Sequence, residues 1–510
     1  MSRFFKGAAL FALIACGVWI AVLWRWQATT RDISTRDIVM YLGLLPLTLF
    51  IFALMLRWAW AGVSEKAVQA NAADAAKASA DAPSSAAANA EDAARHATVQ
   101  LLAAHIVCAA GASASDLQSA AKDGEPRPAL DAILRDEEGL PIITARIADL
   151  DLAAVEAQLP SLLAATQAKR AEWAELVPGE HIIRALAALA SPVSAAVESL
   201  LAWPAQFATD PGSSSATGAS IAATDADAER ARERRVRVML GWPVDWSGFE
   251  QELGRAFVAD WLAECGGDVI TAARFAITAH AGTGEDLLIH ADRLLQTLAR
   301  EGRDDPLIVA AAHSAIGANA VEAMERAGTL FGPKRPKARV PGEAAAALLV
   351  AGADWPASPD ADGPLPHLHR PALLRRDKSV DAGGRINGTL VGEAIMHALA
   401  TARITAEGLA GLVCDADQHT PRTAEFYGAS VEHLPELDST EDIRLMATVT
   451  GAVGVVSPLL VLACAAERAT AAQKPQLALT LGDEFLRLAM VVLPAPPPMP
   501  ENAATKAGAA

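Results

Sequence analysis

Five cysteines are the residues of this 510-residue chain with the clearest capacity for covalent chemistry. A thiolate can act as a nucleophile, and thiols can also form disulfides or bind a metal. The five are widely scattered and share no metal-ligand spacing; they are Cys16, Cys108, Cys265, Cys414 and Cys464. Their apolar neighbours favour buried thiols in a reducing compartment. Cys265 precedes two glycines and fits a turn, but nothing near it is electropositive, so we do not expect it to be reactive.

Histidines offer a second kind of chemistry, as metal ligands or proton carriers. His367 and His369 stand two residues apart, and His397 follows on a predicted helix. Two histidines on an extended segment can chelate a metal, but no third ligand here has a recognisable spacing. We therefore interpret His367 and His369 as a solvent-exposed loop pair and predict neither a metal site nor a cofactor.

Four basic residues form a cluster in an otherwise acidic chain: Lys334, Arg335, Lys337 and Arg339. A cluster of this kind is usually a solvent-exposed loop. The alternative is that this basic loop binds an acidic partner or the membrane surface. The whole chain carries a net charge of -17. Such a charge repels phosphate backbones at long range, so nucleic acid is excluded as an expected partner.

Two uncharged apolar runs, residues 7–24 and 38–56, open the chain. Each run is close to the roughly 20 residues that a helix needs to cross a bilayer. Tryptophans stand near the ends of the runs, where indole rings favour the interface; they are Trp19, Trp24, Trp26, Trp58 and Trp60. No small-residue cleavage site follows the first run. The sequence therefore predicts a two-helix transmembrane hairpin within residues 1–62.

Basic residues around this hairpin favour cytoplasmic termini. Four lie outside it and three lie in its turn: Arg3, Lys6, Arg57 and Lys66 against Arg25, Arg31 and Arg36.

The remaining chain is long enough for two packed units or one duplicated fold. Low-complexity segments divide it: an Ala-rich linker at 63–96, a mobile loop at 210–227, a connecting loop at 355–384 and a disordered tail at 495–510.

Apolar runs alternate with amphipathic segments in the rest of the chain. Strands are expected at residues 236–240, 307–312, 343–351, 411–414, 445–450 and 485–493, and helices at 249–263, 286–300, 392–401 and 451–468, with a polar turn through Arg422. This alternation predicts a layered α/β fold with largely parallel sheets. The order recurs, which predicts two similar halves at residues 97–354 and 385–494.

Several segments resemble the thiolase-fold condensing enzymes, such as ketoacyl synthases. Residues 302–310 (GRDDPLIVA) and 339–346 (RVPGEAAA) resemble the central part of that family. Residues 413–425 (VCDADQHTPRTAE) resemble the loop that carries one catalytic histidine, and residues 450–454 (TGAVG) resemble the loop that carries the other. The resemblance implies a thiolase-like duplicated layered fold behind the hairpin.

The chain departs from that family at its catalytic positions. A condensing enzyme needs a cysteine at a helix N-terminus and two histidines. The equivalent helix opens at Thr283 and Gly284, followed by two carboxylates and no thiol. His419 is displaced from the family position, and the second histidine position falls near Thr450, where no histidine stands. The resemblance therefore implies remnant positions without the family's catalytic set.

A narrower likeness involves residues 101–147, which are similar to thiolase-like proteins encoded beside lipase effectors of the bacterial type VI secretion system. That adaptor family implies a noncatalytic protein that binds a lipase effector and helps to load it onto the secretion spike protein. The hairpin, its flanking charges and the scattered thiols predict an inner-membrane protein with a cytoplasmic body. The resemblance to thiolase-type folds, which commonly pair through a sheet edge, also leaves a homodimer open. Two alternatives stay open: a membrane-anchored acyl-transfer or condensing enzyme with a rearranged site, and a structural partner at the inner membrane.

Overall fold

A computed structural model describes residues 92–125, 128–203, 206–207, 234–356, 365–382, 386–417 and 419–494. All of them belong to the second of two compact units, Glu91–Ala510. The predicted membrane spans, the linker up to residue 91, the predicted loop at 210–227 and the tail at 495–510 lie outside the described residues.

Most of the described strands form one mixed sheet of 11 strands, and β2 and β3 form a separate hairpin. The strands are β1 (Thr98–Cys108), β2 (Ala129–Arg135), β3 (Pro141–Thr144), β4 (Val236–Trp242), β5 (Phe275–Ala281), β6 (Leu307–Ser314), β7 (Glu343–Gly352), β8 (His367–His369), β9 (Ala372–Arg375), β10 (Gly411–Cys414), β11 (Ile443–Leu445), β12 (Gln476–Thr480) and β13 (Leu486–Leu493). Strands β6 and β7 are almost wholly buried, as expected for apolar runs without alternation that are covered on both faces.

Helices cover the sheet, and several begin at a side-chain cap. They are α1 (Ala114–Asp123), α2 (Ala153–Gln167), α3 (Glu180–Leu201), α4 (Gly248–Gly266), α5 (Gly284–Arg300), α6 (Ala318–Ala327), α7 (Thr389–Ala402), α8 (Thr420–His433), α9 (Ala447–Thr450) and α10 (Ser457–Ala472). Helix α4 begins with a capping box between Ser247 and Glu250. At α5, the Thr283 hydroxyl accepts the amide hydrogen of Asp286.

The sheet repeats one strand order in its two halves. Its order is β11-β10-β12-β13-β8-β1-β7-β6-β4-β5, with β9 added beside β13. In the first half β4 pairs in parallel with β5 and β6, and in the second half β10 pairs in parallel with β11 and β12. The pairs β6–β7 and β12–β13 are antiparallel, and β1 pairs with β8 at the centre. The predicted repetition is present, whereas the predicted largely parallel arrangement is wrong because the inner strands are antiparallel.

Helices α5 and α10 occupy equivalent places in the two halves. Helix α5 precedes the antiparallel pair β6–β7, and α10 precedes the antiparallel pair β12–β13. Both helices contribute buried residues to one core cluster. Helix α10 is apolar almost all round, which is typical of a helix enclosed by other elements. Two helical segments, Glu180–Leu201 and Gly454–Ala472, are long and apolar enough to span a membrane, but 67% of the most apolar stretch of each is buried inside the body. That burial is typical of core helices.

Three predicted elements in the second half are wrong. Arg422 lies inside α8 and is buried, where a polar turn was expected. The strand predicted at 445–450 ends at Leu445 and gives way to α9, in which Thr448 donates a hydrogen bond to the Leu445 carbonyl. The helix predicted at 451–468 begins at Ser457, because Gly451 and Gly454 have φ angles of 64° and 49° that a helix cannot continue through.

The segment predicted as a connecting loop, 355–384, contributes strands β8 and β9 to the sheet. His367 and His369 therefore lie in a strand, and the exposed loop pair is a wrong prediction. His369 as a residue is 6% exposed, and neither of its ring nitrogens has a hydrogen-bond partner among the described residues. Burial lowers the pKa of His369 to about 4, so its imidazole is neutral at neutral pH.

Each half also contains a buried ion pair at its core. Glu343 receives two hydrogen bonds from Arg184, from Nε at 2.9 Å and from Nη2 at 2.6 Å. Glu425 receives two from Arg487, from Nε at 3.0 Å and from Nη2 at 2.8 Å. The Arg184–Glu343 pair is bidentate, and in both pairs the hydrogen bonds satisfy charged groups that would otherwise be costly to bury.

Candidate functional site

A cavity of about 520 Å³ lies where the ends of β4, β5, β6 and β10 meet the starts of α5 and α10. Its walls come from both halves. The lining residues are Pro243, Val244, Asp245, Gly282, Thr283, Gly284, Glu285, His313, Arg339, Asp415, Asp417, Ala447, Gly451, Ala452, Val453, Gly454, Val455, Ser457, Gly482, Asp483, Glu484 and Phe485. Ends of parallel strands and helix N-termini are where α/β folds place ligand sites.

The start of α5 is packed tightly against the start of α10. A Cβ atom at Gly284 would lie 2.5 Å from the Val455 carbonyl oxygen and 2.5 Å from Cδ of Pro458. Position 284 therefore accepts no side chain without a shift of the neighbouring backbone. The first side chains that α5 presents at the cavity are those of its cap, Thr283, and of Glu285.

Glu285 is a buried carboxyl of the cavity wall, with 3% of the residue exposed. Its Oε1 accepts a hydrogen bond of 2.8 Å from the Thr480 hydroxyl. Burial, and then the nearby charge of Asp415, raise the pKa of Glu285 to about 8. The carboxyl is thus mainly protonated at neutral pH and can donate as well as accept a hydrogen bond.

Asp415 joins the loop after β12 to the start of α10. Its Oδ1 accepts the amide hydrogen of Leu481, and its Oδ2 accepts hydrogen bonds from the Gly482 amide at 3.2 Å and the Ser457 hydroxyl at 2.9 Å. Burial raises the pKa of Asp415, although these donors oppose the shift. Asp415 therefore orders the cavity wall as well as lining it.

His313 faces the cavity from the end of β6. Its Nδ1 is buried and has no hydrogen-bond partner among the described residues. Burial lowers the pKa of His313 to about 4, so the ring is a neutral imidazole. A Cβ atom at position 454 would lie 3.3 Å from this nitrogen, so glycine at that position leaves room for the His313 ring.

The lining is strongly acidic for a cavity of this size. Carboxyl side chains come from Asp245, Glu285, Asp415, Asp417, Asp483 and Glu484. Arg339 is the permanently charged cation among the described lining residues. This balance disfavours anionic ligands. A protonated carboxyl and a neutral imidazole can exchange hydrogen bonds with a carbonyl or hydroxyl group, but neither supplies the thiolate that a condensing reaction requires.

The four cysteines that the structure describes lie outside this lining. Cys108 is buried, and burial raises the pKa of its thiol to about 11. Burial also raises the pKa of Cys414 and of Cys464 well above the ordinary value, and raises that of the half-buried Cys265. Cys265 lies in the last turn of α4, not in the predicted turn. Thiols with raised pKa values are poor nucleophiles at neutral pH.

These thiol environments predict the outcome of covalent labelling. Iodoacetamide and an acyl-thioester probe are expected to modify Cys108, Cys265, Cys414 and Cys464 slowly in the folded chain at neutral pH, since each thiol is protonated there. Peptide mapping by mass spectrometry before and after denaturation measures this, with the unfolded chain as the control. Fast, stoichiometric labelling of one cysteine in the folded chain would instead support the condensing-enzyme alternative.

The structure places two of the four predicted remnant positions at the cavity. Thr283 and Gly284 line it, whereas His419 and Thr450 do not. His419 Nε2 lies 3.1 Å from Oδ1 of Asp381. Thr450 is buried, and its hydroxyl donates to the Gly451 carbonyl at 3.1 Å.

The basic loop is divided between two places. Arg339 reaches the cavity, whereas Lys334 forms an ion pair with Glu138 of the β2–β3 hairpin. Sequence reasoning missed His313 and the meeting of Glu285 with Asp415. A signal for His313 was its position at the end of a predicted strand, next to the equivalent ends of neighbouring strands.

Comparison with known proteins gives a structural likeness alone. Neither a protein-family model nor a curated protein sequence matches the chain. A β-ketoacyl synthase from Burkholderia phymatum is similar in structure, with a TM-score of 0.50 and 12% identity, over 78% of this chain and 100% of that one. The ishigamide ketosynthase/chain length factor has a TM-score of 0.48 and 15% identity, over 78% and 100%. The ketosynthase from module 6 of the Bacillus subtilis bacillaene synthase has a TM-score of 0.49 and 11% identity, over 78% of this chain and 72% of that one.

At these identities the likeness concerns the fold and not the activity. The expected fold is therefore confirmed at the level of architecture: the described part of the chain has a mixed α/β, thiolase-like fold.

Proposed function

We propose that this chain is a noncatalytic adaptor, which binds a lipase effector of a type VI secretion system and helps to load it onto the spike protein. The observation that carries the proposal is the start of α5: Glu285 faces the cavity, Gly284 has no room for a side chain, and no described cysteine reaches the lining. A fold that retains its architecture without its nucleophile is free to act through its surface. The family likeness of residues 101–147 supports the choice of partner.

The surface that we assign to the effector combines the β2–β3 hairpin with the basic loop. Leu130, Ile133 and Leu140 are exposed on the hairpin, and 75% of Ile133 is accessible. The pair between Glu138 and Lys334 joins the hairpin to the basic loop. Exposed apolar residues rimmed by charges are typical of protein-binding surfaces.

Copurification of the full chain, in detergent, with the lipase encoded beside it tests the adaptor function. We expect the chain to capture the lipase, and the spike protein through it. Failure to capture either protein would contradict the proposal. The same capture by a chain that lacks residues 1–60 is expected to persist, because the assigned surface lies in the body. Loss of effector delivery with retained capture would show that placement by the hairpin is part of the function.

A matched pair of variants tests the assigned surface. Ile133→Asp is expected to weaken lipase capture by about tenfold, because a charge replaces an apolar contact at the centre of the surface. Val431→Asp on α8 is the control, since Val431 is also 75% exposed but lies in the second half. Equal capture by the two variants would reject the surface without rejecting the adaptor function.

A further inference from the structure

An arginine-rich cleft of about 820 Å³ lies at the opposite end of the strands that lead to the cavity. It is formed where β4 and β6 begin, together with the turn after α5. Arg234, Arg235, Arg237, Arg274 and Arg303 are the arginines among its described lining residues. Five guanidinium groups around one cleft contrast with a chain whose net charge is -17.

The cleft is separate from the acidic cavity. Strand β4 begins at Val236, beside the cleft, and ends at Trp242, just before cavity residues 243–245. Its seven residues, at about 3.3 Å per residue, put the two sites roughly 20 Å apart. Strand β6 likewise runs from the cleft towards His313. A ligand in one site therefore does not occupy the other.

Carboxylates inside the cleft fix some of the arginines but do not match them in number. Asp304 pairs with Arg234 through both carboxylate oxygens. One oxygen of Asp305 receives hydrogen bonds from Arg237 at 2.9 Å and from Arg303 at 2.7 Å. Glu301 is the third carboxylate of the described lining. The described lining therefore has more positive than negative groups.

The arginine at the base of the cleft is rigidly held. The side chain of Arg234 is 5% exposed, donates to the backbone carbonyl and side chain of Gln206, and lies over the ring of Trp355 at 5.1 Å. Burial, and then the charge of Arg234, lower the pKa of Arg274. A buried, fixed guanidinium beside a second one makes a positively charged site before any ligand arrives.

Arg235 is the arginine best placed to meet a ligand. Its backbone amide donates to Oδ1 of Asp305 at 3.1 Å, which fixes its position. Its side chain is exposed and forms no ion pair with any residue that the structure describes. A guanidinium that is exposed and not held in an ion pair can donate two parallel hydrogen bonds to one oxyanion.

We propose that this cleft binds a small ligand through its oxyanion groups, phosphate or carboxylate. The planar fork of arginine matches both groups, and fixed cations concentrate anions at a cleft. A volume of about 820 Å³ is within the range of about 300–1,000 Å³ that small-ligand sites occupy. The proposal is independent of the adaptor function, since it concerns a different end of the fold.

Titration calorimetry on the full chain in detergent tests this site, at constant ionic strength, with inorganic pyrophosphate and citrate as the two probes. The test variant is Arg235→Gln, which leaves the paired arginines and the Asp305 contact of the backbone in place. The control is Arg293→Gln, which removes the same charge from an exposed position on α5 outside the described cleft lining.

We expect at least one probe to bind, Arg235→Gln to weaken it by about tenfold and Arg293→Gln to leave it unchanged, since a charged hydrogen bond is lost in the first variant alone. Binding of pyrophosphate alone would identify a phosphate ligand, binding of citrate alone would identify a carboxylate ligand, and comparable binding of both would show that the site accepts either oxyanion. The proposal is overturned if neither probe binds at millimolar concentration, or if the two variants behave alike.

Discussion

Replacing Glu285 by glutamine is expected to make the chain progressively more stable than the native chain as the pH rises from about 4.5 to about 8. An unfolded glutamate ionises near 4.5, whereas burial and Asp415 raise the pKa of Glu285 in the folded chain to about 8. Between these values unfolding releases a proton, so rising pH favours the unfolded chain. The carboxyl costs nothing below pH 4.5, and its full cost is reached above pH 8.

The size of this effect follows from the separation of the two pKa values. At 1.36 kcal/mol per unit, the full cost, reached above pH 8, is roughly 5 kcal/mol as an upper limit. Glutamine does not titrate, and its amide oxygen can still accept from Thr480.

Urea unfolding across this pH range measures the difference, with Glu393→Gln as the control at an exposed position on α7. Parallel stability profiles for the native chain and Glu285→Gln would show that Glu285 is ionised in the folded chain.

The second large effect is expected at the buried pair of the second half. Glu425→Gln should lower the free energy of unfolding by about 3–5 kcal/mol, because a buried guanidinium then has no carboxylate to neutralise it. Arg487 is 0% exposed, and both of its hydrogen bonds to Glu425 end on the same oxygen. Arg376 donates to the other oxygen at 2.6 Å, so a second cation is affected.

Two further variants test whether the loss of stability in Glu425→Gln comes from a buried charge without its partner. The double variant Glu425→Leu with Arg487→Met removes both charges and should recover much of the loss, as buried pairs replaced by apolar residues often do. Glu322→Gln breaks an exposed pair with Arg326 and should cost less than about 1 kcal/mol. A cost for Glu425→Gln no greater than that for Glu322→Gln would mean that the pair is not desolvated.

Local patterns in the sequence were sufficient to predict many of the elements. The runs that form β6 and β7 are apolar without alternation, and strands covered on both faces have this composition. Helix α5 has a clear apolar stripe, of which Leu287, Ala291 and Leu298 are buried. Strand β1 and helix α3 are absent from the prediction, because their apolar runs fit a buried strand and a buried helix equally well.

The site was less predictable, since its members are brought together by strand order. Glu285 and Asp415 stand in different halves and meet because α5 begins where β10 ends in the folded chain. No spacing in the sequence encodes that contact. The run from Thr448 to Thr450 is β-branched and favours a strand, but it forms α9 because Thr448 and Thr450 satisfy their hydroxyls on preceding or adjacent carbonyls.

The contact between the starts of α5 and α10 also constrains the evolution of this chain. A mutation that adds a side chain at Gly284 meets backbone and proline atoms of the other half, at 2.5 Å, and not a flexible side chain that could move aside. Such a mutation is tolerated only after residues 455–458 have changed. The two halves therefore cannot diverge independently at this contact, and a lineage with this packing can acquire a side chain at position 284 only through coupled substitutions in both repeats.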